Sequence, residues 1–285
     1  MIRFIQSPAE YKQLRDLLDA FYVQHREEDA HDHPYQAFVH YLALIERFAP
    51  EGGRIMEIGS GNAVAANALA SRGYTTLAVD YYSDEKAQAL AHAYQQPRLT
   101  LRGGGFLSVP VDEASFDVIC SRRTFEHCME LEEILDRITR MIKPGGVLVL
   151  TGPNYDSPYW PYLGLRKMLT SGEPNHYACY ESVSSLVLGF VQGIRNITGG
   201  GIRGAYHPFR YFWPRMKNGE LDFNYADDDA VCWVSSINLR NYLRETGFEI
   251  LVYNEARSTG FIKTLYRALP HLAAYYRLVA RKPGR

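Results

Sequence analysis

The sequence predicts an α/β protein built around a mostly parallel sheet. Short apolar runs of strand length alternate with segments of helical periodicity from Arg54 to Thr151. Strands that read as continuous apolar runs are typical of a parallel sheet whose two faces are covered by the connecting helices. At 285 residues, 46% of them hydrophobic, the chain is long enough for one large domain or for a domain with a sizeable insertion.

Two helices are expected before the first strand. Ser7 can cap a helix over residues 8–28, and Pro8 occupies its first helical position, where a missing amide proton costs little. The apolar positions of this segment recur at helical spacing. A second helix is predicted from about residue 35 to residue 48, so residues 1–50 are interpreted as an N-terminal helical cap.

Residues 51–153 and 236–285 carry the alternating pattern and are interpreted as one α/β core. In the first part, the expected strands are Arg54–Ile58, Thr75–Asp80, Arg98–Arg102, Phe116–Cys120 and Val147–Thr151, and the expected helices are Ala63–Arg72, Ser83–Tyr94 and Leu131–Ile142. In the second part, the expected helices are Ser236–Thr246 and Phe261–Leu272, and the expected strands are Phe248–Tyr253 and Tyr276–Arg281. Gly73 and the run from Lys143 to Gly146 end two of these helices.

Residues 154–235 interrupt the pattern with a segment rich in Tyr, Trp, Pro and Gly. The segment begins where the fifth strand ends, and open α/β sheets bind ligands at that edge. One interpretation is an inserted aromatic lid that shapes a pocket for a substrate. A packing subdomain, a dimer contact or a surface for another partner is the alternative, and the sequence leaves these open.

Charge and composition exclude several classes of protein. Lys and Arg number 31 against 32 Asp and Glu, so a protein that binds nucleic acid through bulk positive charge is not expected, despite the aromatic and basic stretch from Arg203 to Arg215. The sequence contains no run of about 18 apolar residues, so no membrane span is predicted. The first residues lack the apolar core of a signal peptide. Reduced thiols in a cytoplasmic protein are expected for the four irregularly spaced cysteines, which are Cys120, Cys128, Cys179 and Cys232.

Two clusters invite a metal interpretation, namely His31-Asp32-His33 and Asp227-Asp228-Asp229. Neither has a supporting group of Cys or His ligands at a spacing typical of a metal site. A pair of loop histidines and a solvated acidic turn are the preferred interpretations, and no metal is predicted.

A glycine turn after the first strand is the most informative segment. Gly59-Ser60-Gly61 follows the strand and precedes a helix, and glycine there lets a ligand approach the backbone. Asp80 stands at the end of the second strand, where a carboxylate can accept hydrogen bonds from two ribose hydroxyls. These features predict a ligand that contains a nucleoside. A dinucleotide site would need Gly or Ala at Val64, which argues against a nicotinamide-dependent oxidoreductase.

Five segments in order resemble a known family. Glu57-x-Gly59-x-Gly61 with Asp80 resembles motifs I and II of the class I S-adenosylmethionine-dependent methyltransferases. The resemblance extends over about residues 37–153 and 236–283, and the further matching segments are Ser115–Ile119, Phe125–His127, Arg140–Leu148, Leu243–Phe248 and Tyr276–Pro283. It implies a Rossmann-like methyltransferase fold of type 11, with seven mostly parallel strands of which the last is antiparallel. It also implies S-adenosylmethionine as the cofactor.

The resemblance assigns cofactor contacts residue by residue. Glu57 would face the methionine ammonium, Asp80 would bind the ribose hydroxyls, and Tyr81 would cover the adenine. The remaining cofactor contacts would come from Gly59, Ser60, Gly61, Asn62, Gly105, Phe106 and Ser121. This sequence departs from the family at Gly105, where many members place an Asp, and at Ala63, where motif I has its third glycine.

His127 is the candidate catalytic base. Methyl transfer to an oxygen nucleophile requires a group that removes its proton, and His127 follows the fourth strand near the open end of the site. A structural histidine that packs at the sheet edge is the alternative. Arg122 and Arg123 could clamp an anionic substrate or could form ion pairs with nearby glutamates. The other candidate substrate contacts are Tyr22, Tyr35, Asn154, Tyr155, His176 and Tyr177.

The sequence thus predicts transfer of a methyl group from S-adenosylmethionine to a small molecule. An oxygen acceptor on a sugar, a glycolipid precursor or a secondary metabolite is preferred, without nucleic acid as a partner and with a homodimer as one option. The alternatives are a non-catalytic protein that binds the cofactor and, behind it, a nicotinamide-dependent oxidoreductase.

Overall fold

The computed structural model describes residues 2–25, 34–171, 182–201, 204–218, 220–221, 229–255, 264 and 269–284. Seven strands form its main sheet: β1 Arg54–Ile58, β2 Thr75–Asp80, β3 Leu99–Gly103, β4 Phe116–Arg122, β5 Ile142–Pro153, β6 Glu249–Tyr253 and β7 Tyr275–Arg281. Their order across the sheet is β3-β2-β1-β4-β5-β7-β6. Strand β7 is antiparallel to both β5 and β6, while β1 to β5 pair in parallel. The predicted fold class is therefore confirmed.

Helices cover both faces of this sheet. They are α1 Pro8–His25, α2 Val39–Glu46, α3 Val64–Ser71, α4 Asp84–Tyr94, α5 Leu131–Met141, α6 Tyr159–Ser171, α7 Val183–Asn196 and α8 Ser236–Glu245. Along β4 the side chains alternate between two clusters. Val118 packs with α2 on one face, whereas Ile119 packs with α5 and α8 on the other. This alternation follows from the two-residue repeat of a strand.

The end of α5 differs slightly from its prediction. The helix ends at Met141, and Ile142 already pairs with Phe116 as the first residue of β5. The pairing register between β4 and β5 then shifts between Phe116 and Val118. The strand can start early because an irregularity of this kind accommodates the Lys-Pro-Gly-Gly run within the pairing.

The segment between β5 and α8 packs into the core. Tyr155, Phe212 and Trp233 are fully or almost fully buried in the same cluster as the sheet residues. The segment also pairs with the start of the chain, since Phe4 and Phe212 form an isolated antiparallel β-bridge. The predicted helix at residues 261–272 lies largely outside the described residues, and only a short 3₁₀ turn at Pro270–Leu272 is seen there. None of the helices in the described ranges has the length and apolar character needed to cross a membrane.

Candidate active site

The glycine turn is shaped by contact with the loop after β4. Gly59 has a φ of +69°, and a Cβ atom there would lie 2.0 Å from the Oγ1 atom of Thr124. Both facts require glycine, because other residues rarely adopt that φ and no side chain would fit. The Thr124 hydroxyl in turn donates to the carbonyl oxygen of Ile58 at 3.3 Å. The loop after β4 therefore fixes the turn after β1.

Asp80 ties this turn to the end of β2. Its carboxylate accepts hydrogen bonds from the backbone amides of Gly61, at 2.6 Å, and of Tyr81, at 2.7 Å. Burial raises the pKa of Asp80, and the two amide hydrogen bonds oppose that effect. The Ser60 hydroxyl also lies 2.7 Å from the Tyr82 hydroxyl. The carboxylate is thus held at the rim of the turn, beside the backbone that a ligand would approach.

A cavity of about 620 Å³ opens at the carboxyl ends of β1, β2 and β4. This volume lies in the range of about 300–1,000 Å³ that is typical of small-molecule sites. The predicted site residues that line it are Tyr22, Glu57, Gly59, Ser60, Gly61, Asn62, Asp80, Tyr81, Gly105, Phe106, Arg122, Arg123 and His127. The structure therefore brings most of the predicted positions together in one place.

Glu57 contributes a buried carboxyl group to the floor of this cavity. The side chain is 2% exposed, and its Oε2 atom makes no hydrogen bond to any residue that the structure describes. Burial raises its pKa to about 8, against the influence of the Ala66 amide, the Tyr41 hydroxyl and the Arg122 charge. A buried carboxyl with a vacant acceptor atom is suited to a positively charged ligand group.

His127 is paired with an acidic residue from the inserted segment. Its Nδ1 atom lies 3.0 Å from the Oδ1 atom of Asp229, and the Tyr22 hydroxyl donates to the other oxygen of Asp229 at 2.6 Å. Burial opposes ionisation of Asp229, but the His127 charge and the hydrogen bonds from His127 and Tyr22 outweigh it and lower its pKa. The Tyr22 ring stacks on Tyr81 with a centroid distance of 4.9 Å. These four side chains form a connected network on the cavity wall.

The two arginines beside the cavity make aromatic contacts. The Arg122 guanidinium lies 4.7 Å from the centre of the Phe38 ring, and burial together with the Arg123 charge lowers its pKa. Arg123 donates to the Tyr275 hydroxyl at 3.0 Å and lies over the same ring. Both residues line the cavity, so an anionic group of a ligand could reach them.

Several predicted residues lie elsewhere. Ser121 is buried and donates its hydroxyl to the carbonyl oxygen of Ile58 at 2.9 Å. Tyr35 is exposed, and its hydroxyl accepts a hydrogen bond from Arg72. None of these residues lines the cavity. His176 and Tyr177 lie outside the described residues, as does the His31-Asp32-His33 cluster.

Asn154 and Tyr155 also lie away from the cavity, and they have structural partners. The Asn154 amide donates to the carbonyl oxygens of His271 and Ala273 at 2.9 and 2.8 Å, and its oxygen accepts from the Ser236 amide at 3.0 Å. Tyr155 is fully buried against aromatic rings of the core. These contacts join the end of β5 to the segments around it rather than to a ligand.

Asp229 was not predicted as a site residue. The interpretation of this residue as part of a solvated acidic turn was wrong, because the side chain is buried on the cavity wall. A run of three acidic residues gives no sign that one of them turns inward. Only the path of the insertion, which brings Asp229 back to the loop after β4, reveals the pair with His127. Arg15, Asp19, Cys128 and Glu130 line the cavity as well and were likewise not predicted.

Comparison with known proteins identifies the family of the segment that runs from β1 to β5. The family model described as "Methyltransferase domain" matches residues 56–150, which contain the glycine turn, Asp80 and His127. This segment is a class I S-adenosylmethionine-dependent methyltransferase domain. Enzymes with such a domain take the transferred methyl group from S-adenosylmethionine, as the motifs predict.

The curated relatives are similar to part of this chain. A Mycolicibacterium smegmatis protein named as an S-adenosylmethionine-dependent methyltransferase is 30% identical over 114 residues, which cover 40% of this chain and 42% of that protein. The dimethylglycine N-methyltransferase of Parasynechococcus marenigrum is 27% identical over 119 residues, again 42% of its length. The chain thus spans less than half the length of these relatives.

Two solved structures share the fold of the methyltransferase domain and of the segments around it. A Listeria monocytogenes structure described as an S-adenosylmethionine-dependent methyltransferase aligns with a TM-score of 0.55 at 13% identity, over 87% of this chain and 99% of that one. The 1,6-didemethyltoxoflavin-N1-methyltransferase of Burkholderia thailandensis aligns with a TM-score of 0.51 at 14% identity, over 98% and 92%. At these identities the likeness shows the fold.

Proposed function

We propose that the protein transfers a methyl group from S-adenosylmethionine to an oxygen nucleophile of a small-molecule acceptor. The observation that supports this most is the His127–Asp229 pair, because it stands on the same cavity as the glycine turn and Asp80. A nucleoside site and a proton-accepting group within one cavity are the two requirements of methyl transfer to a hydroxyl group.

The residues around the glycine turn fit the cofactor. Glu57 offers a buried carboxyl with a vacant acceptor atom for the ammonium group, and Asp80 is held beside the turn for the ribose hydroxyls. Tyr81 and Phe106 supply ring surfaces on the cavity wall for the adenine. The Val64 side chain also lines the cavity, where a dinucleotide site would need a smaller residue. These features favour S-adenosylmethionine over a nicotinamide dinucleotide.

When bound, S-adenosylmethionine supplies an electrophilic methyl group on a sulfonium centre. The chain must then position the acceptor and remove its proton. Because Oδ1 of Asp229 lies 3.0 Å from Nδ1 of His127, the neutral ring would carry its proton on Nδ1 and keep the lone pair of Nε2 for the acceptor. The negative charge of Asp229 also stabilises the imidazolium that forms when His127 takes the acceptor proton. Tyr22, through its hydrogen bond to the second oxygen, orients Asp229.

The acceptor is proposed to be a sugar, a glycolipid precursor or a secondary metabolite that carries a hydroxyl group. Arg122 and Arg123 on the cavity wall would suit an acceptor with a nearby phosphate or carboxylate. The cavity volume of about 620 Å³ supports a small acceptor, since the cofactor takes part of it.

Methyl transfer from labelled S-adenosylmethionine to a panel of sugars, lipid-linked sugars and phenolic metabolites tests this proposal. Replacement of the base, His127→Gln, should lower kcat by about 10²–10⁴, and Asp229→Asn should lower it too, by a smaller factor. Exposed His40 provides the matched control, and His40→Gln should keep full activity.

Two results would contradict the proposal in different ways. Full turnover by His127→Gln would exclude His127 as the base. Tight binding of the cofactor without transfer to any hydroxyl compound would instead favour a non-catalytic protein that binds S-adenosylmethionine.

A further inference from the structure

Helix α7 presents its apolar side to solvent. Its exposed apolar residues form a stripe at helical spacing and are Val183, Val187, Phe190, Val191 and Ile194, each between 47% and 60% exposed. Its buried residues are Ser185, Leu186, Gly189, Gln192 and Gly193. A helix at the surface of a globular protein normally has the opposite arrangement. A stripe of this kind marks an interaction surface.

Specific contacts fix the orientation of α7. A Cβ atom on Gly193 would lie 2.7 Å from the backbone oxygen of Asp156, so the helix packs as closely there as the backbone allows. The Asn196 amide donates to the Asp156 carboxylate at 2.7 Å. Gln192 donates to Asn196 at 2.7 Å and accepts from Arg210. The polar face is thus bound to the protein, and the apolar face is held outward.

The neighbouring helix α6 adds a second exposed apolar stripe. Its members are Tyr159, Tyr162, Leu165 and Leu169, and Leu169 is 78% exposed. The two helices pack against each other. Together they account for nine of the fourteen large apolar side chains that are exposed in the described part of the chain. Exposed apolar surface is therefore concentrated on this helix pair.

The charges on the helix pair are all of one sign. Neither Tyr159–Ser171 nor Val183–Asn196 contains Asp or Glu, whereas Arg166, Lys167 and Arg195 are present. A cavity of about 540 Å³ adjoins the end of α7, and among the residues that line it are Arg195, His207 and Arg210 but no acidic side chain. This face would therefore attract a negatively charged partner.

We propose that the α6–α7 face docks the protein onto a membrane surface that contains anionic lipids. Apolar side chains with basic neighbours and tyrosines are the composition of helices that lie in the membrane interface. With 14 residues, α7 is about 21 Å long, shorter than the hydrocarbon core of about 30 Å, so it would lie along the surface. A second copy of this chain fits less well, because a two-fold interface would bring basic groups against basic groups.

Co-sedimentation with vesicles tests the proposal. The wild-type protein should bind vesicles of phosphatidylcholine mixed with phosphatidylglycerol, bind vesicles of phosphatidylcholine alone more weakly, and lose the difference at high salt. The double variant Val187→Ser/Phe190→Ser should bind the mixed vesicles at least about tenfold more weakly. Val23→Ser is the matched control, since Val23 is an exposed apolar residue on α1, and it should bind like the wild type.

A charge variant separates the two contributions. Arg166→Gln/Lys167→Gln should reduce binding to the mixed vesicles and leave the weak binding to neutral vesicles unchanged. The fold of each variant is checked by circular dichroism and by thermal unfolding. The proposal does not depend on the methyl transfer activity, which is assayed with soluble acceptors.

Two outcomes would overturn the proposal. The first is a folded wild-type protein that does not bind mixed vesicles at low salt, or a double variant that binds them as well as the wild type does. The second is a wild-type dimer in solution that the double variant abolishes, without vesicle binding by either protein. That result would assign the face to a second copy of the chain.

Discussion

Helices α5 and α7 are of similar length and both carry an apolar stripe, but they bury opposite faces. α5 buries Leu131, Ile134, Leu135, Ile138 and Met141 against the sheet, and its exposed residues are the charged Glu133, Asp136 and Arg140. α7 buries one leucine with serine, glycine and glutamine, and it exposes valine, phenylalanine and isoleucine. The difference shows that an apolar stripe marks the helix face that is suited to burial. The partner that covers this face need not be the protein's own core.

The buried carboxyl groups of the two regions differ in what surrounds them. Asp156, which anchors α7, accepts hydrogen bonds from Trp233 at 2.9 Å and from Asn196 at 2.7 Å, and its pKa is raised by burial to about 6. Glu57, under the glycine turn, has a vacant acceptor atom and a pKa of about 8. Asp156 holds two side chains of the protein through Oδ1, and its buried Oδ2 atom lies away from the cavity, whereas Glu57 lines the cavity, where a ligand can reach it.

The largest effect on stability is expected for α5, which buries its apolar stripe. Leu135→Ala removes a fully buried side chain from the contact between α5 and the sheet. The free energy of unfolding should fall by about 2–5 kcal/mol, because both the transfer energy and the cavity left behind contribute. Urea unfolding measures the loss. A change below about 1 kcal/mol would mean that α5 does not pack as described.

The second-largest effect on stability is expected for Glu57, the buried carboxyl group under the glycine turn. The folded protein keeps a proton on Glu57 up to about pH 8, whereas the unfolded chain loses it near the ordinary value of 4.5. Stability due to this group should therefore decrease as pH rises between these values. Glu57→Gln should remove that decrease and gain about 1–3 kcal/mol over the wild type between pH 5 and pH 8.

Chemical unfolding of both proteins across this pH range, without ligand, gives the measurement. If the free energy of unfolding had the same pH dependence in the wild type and in Glu57→Gln, Glu57 would not be held in its neutral form. The same substitution should weaken cofactor binding, since it removes the carboxylate proposed to face the ammonium group.

A smaller loss of stability is expected where Gly193 of α7 closely approaches the backbone of Asp156. Gly193→Ala places a methyl group 2.7 Å from the backbone of Asp156, while Gly199→Ala meets nothing within 4 Å. The first should cost about 1–2 kcal/mol despite the higher helix propensity of Ala, and the second should be neutral or slightly stabilising. Equal stability of the two variants in thermal unfolding would refute the fixed orientation of α7.

The smallest effect is expected on the exposed stripe. Val187→Ser should change the free energy of unfolding by no more than about 0.5 kcal/mol, because the side chain is already in solvent. A loss similar to that of Leu135→Ala would mean that the stripe is buried in the protein and would remove the contrast between the two helices.

Local sequence patterns predicted the sheet and the glycine turn at the cavity well. The strand at Arg54–Ile58 and the strand at Thr75–Asp80 have the predicted bounds, because apolar runs between turn residues determine them locally. The glycine turn was predictable for the same reason, since its backbone conformation permits few residue types. The family resemblance then added the expected seventh, antiparallel strand.

The cavity wall around His127 depends on contacts between residues that are far apart in the sequence. Asp229 meets His127 only because the inserted segment returns to the loop after β4, and no local pattern records that path. Asn154 and Tyr155 follow β5 at the ligand edge, yet the insertion and the last strand bury them. In α7, helical periodicity gives the apolar stripe but not the side on which the core lies.

Calorimetric titration with S-adenosylmethionine and S-adenosylhomocysteine tests the central claim about the cavity most directly. The wild-type protein should bind both ligands with micromolar dissociation constants, and Asp80→Ala should lose binding while it remains folded by circular dichroism. The exposed Asp84→Ala is the matched control and should bind normally. A folded wild-type protein that binds neither ligand would contradict the assignment of the glycine turn, Glu57 and Asp80 to the cofactor.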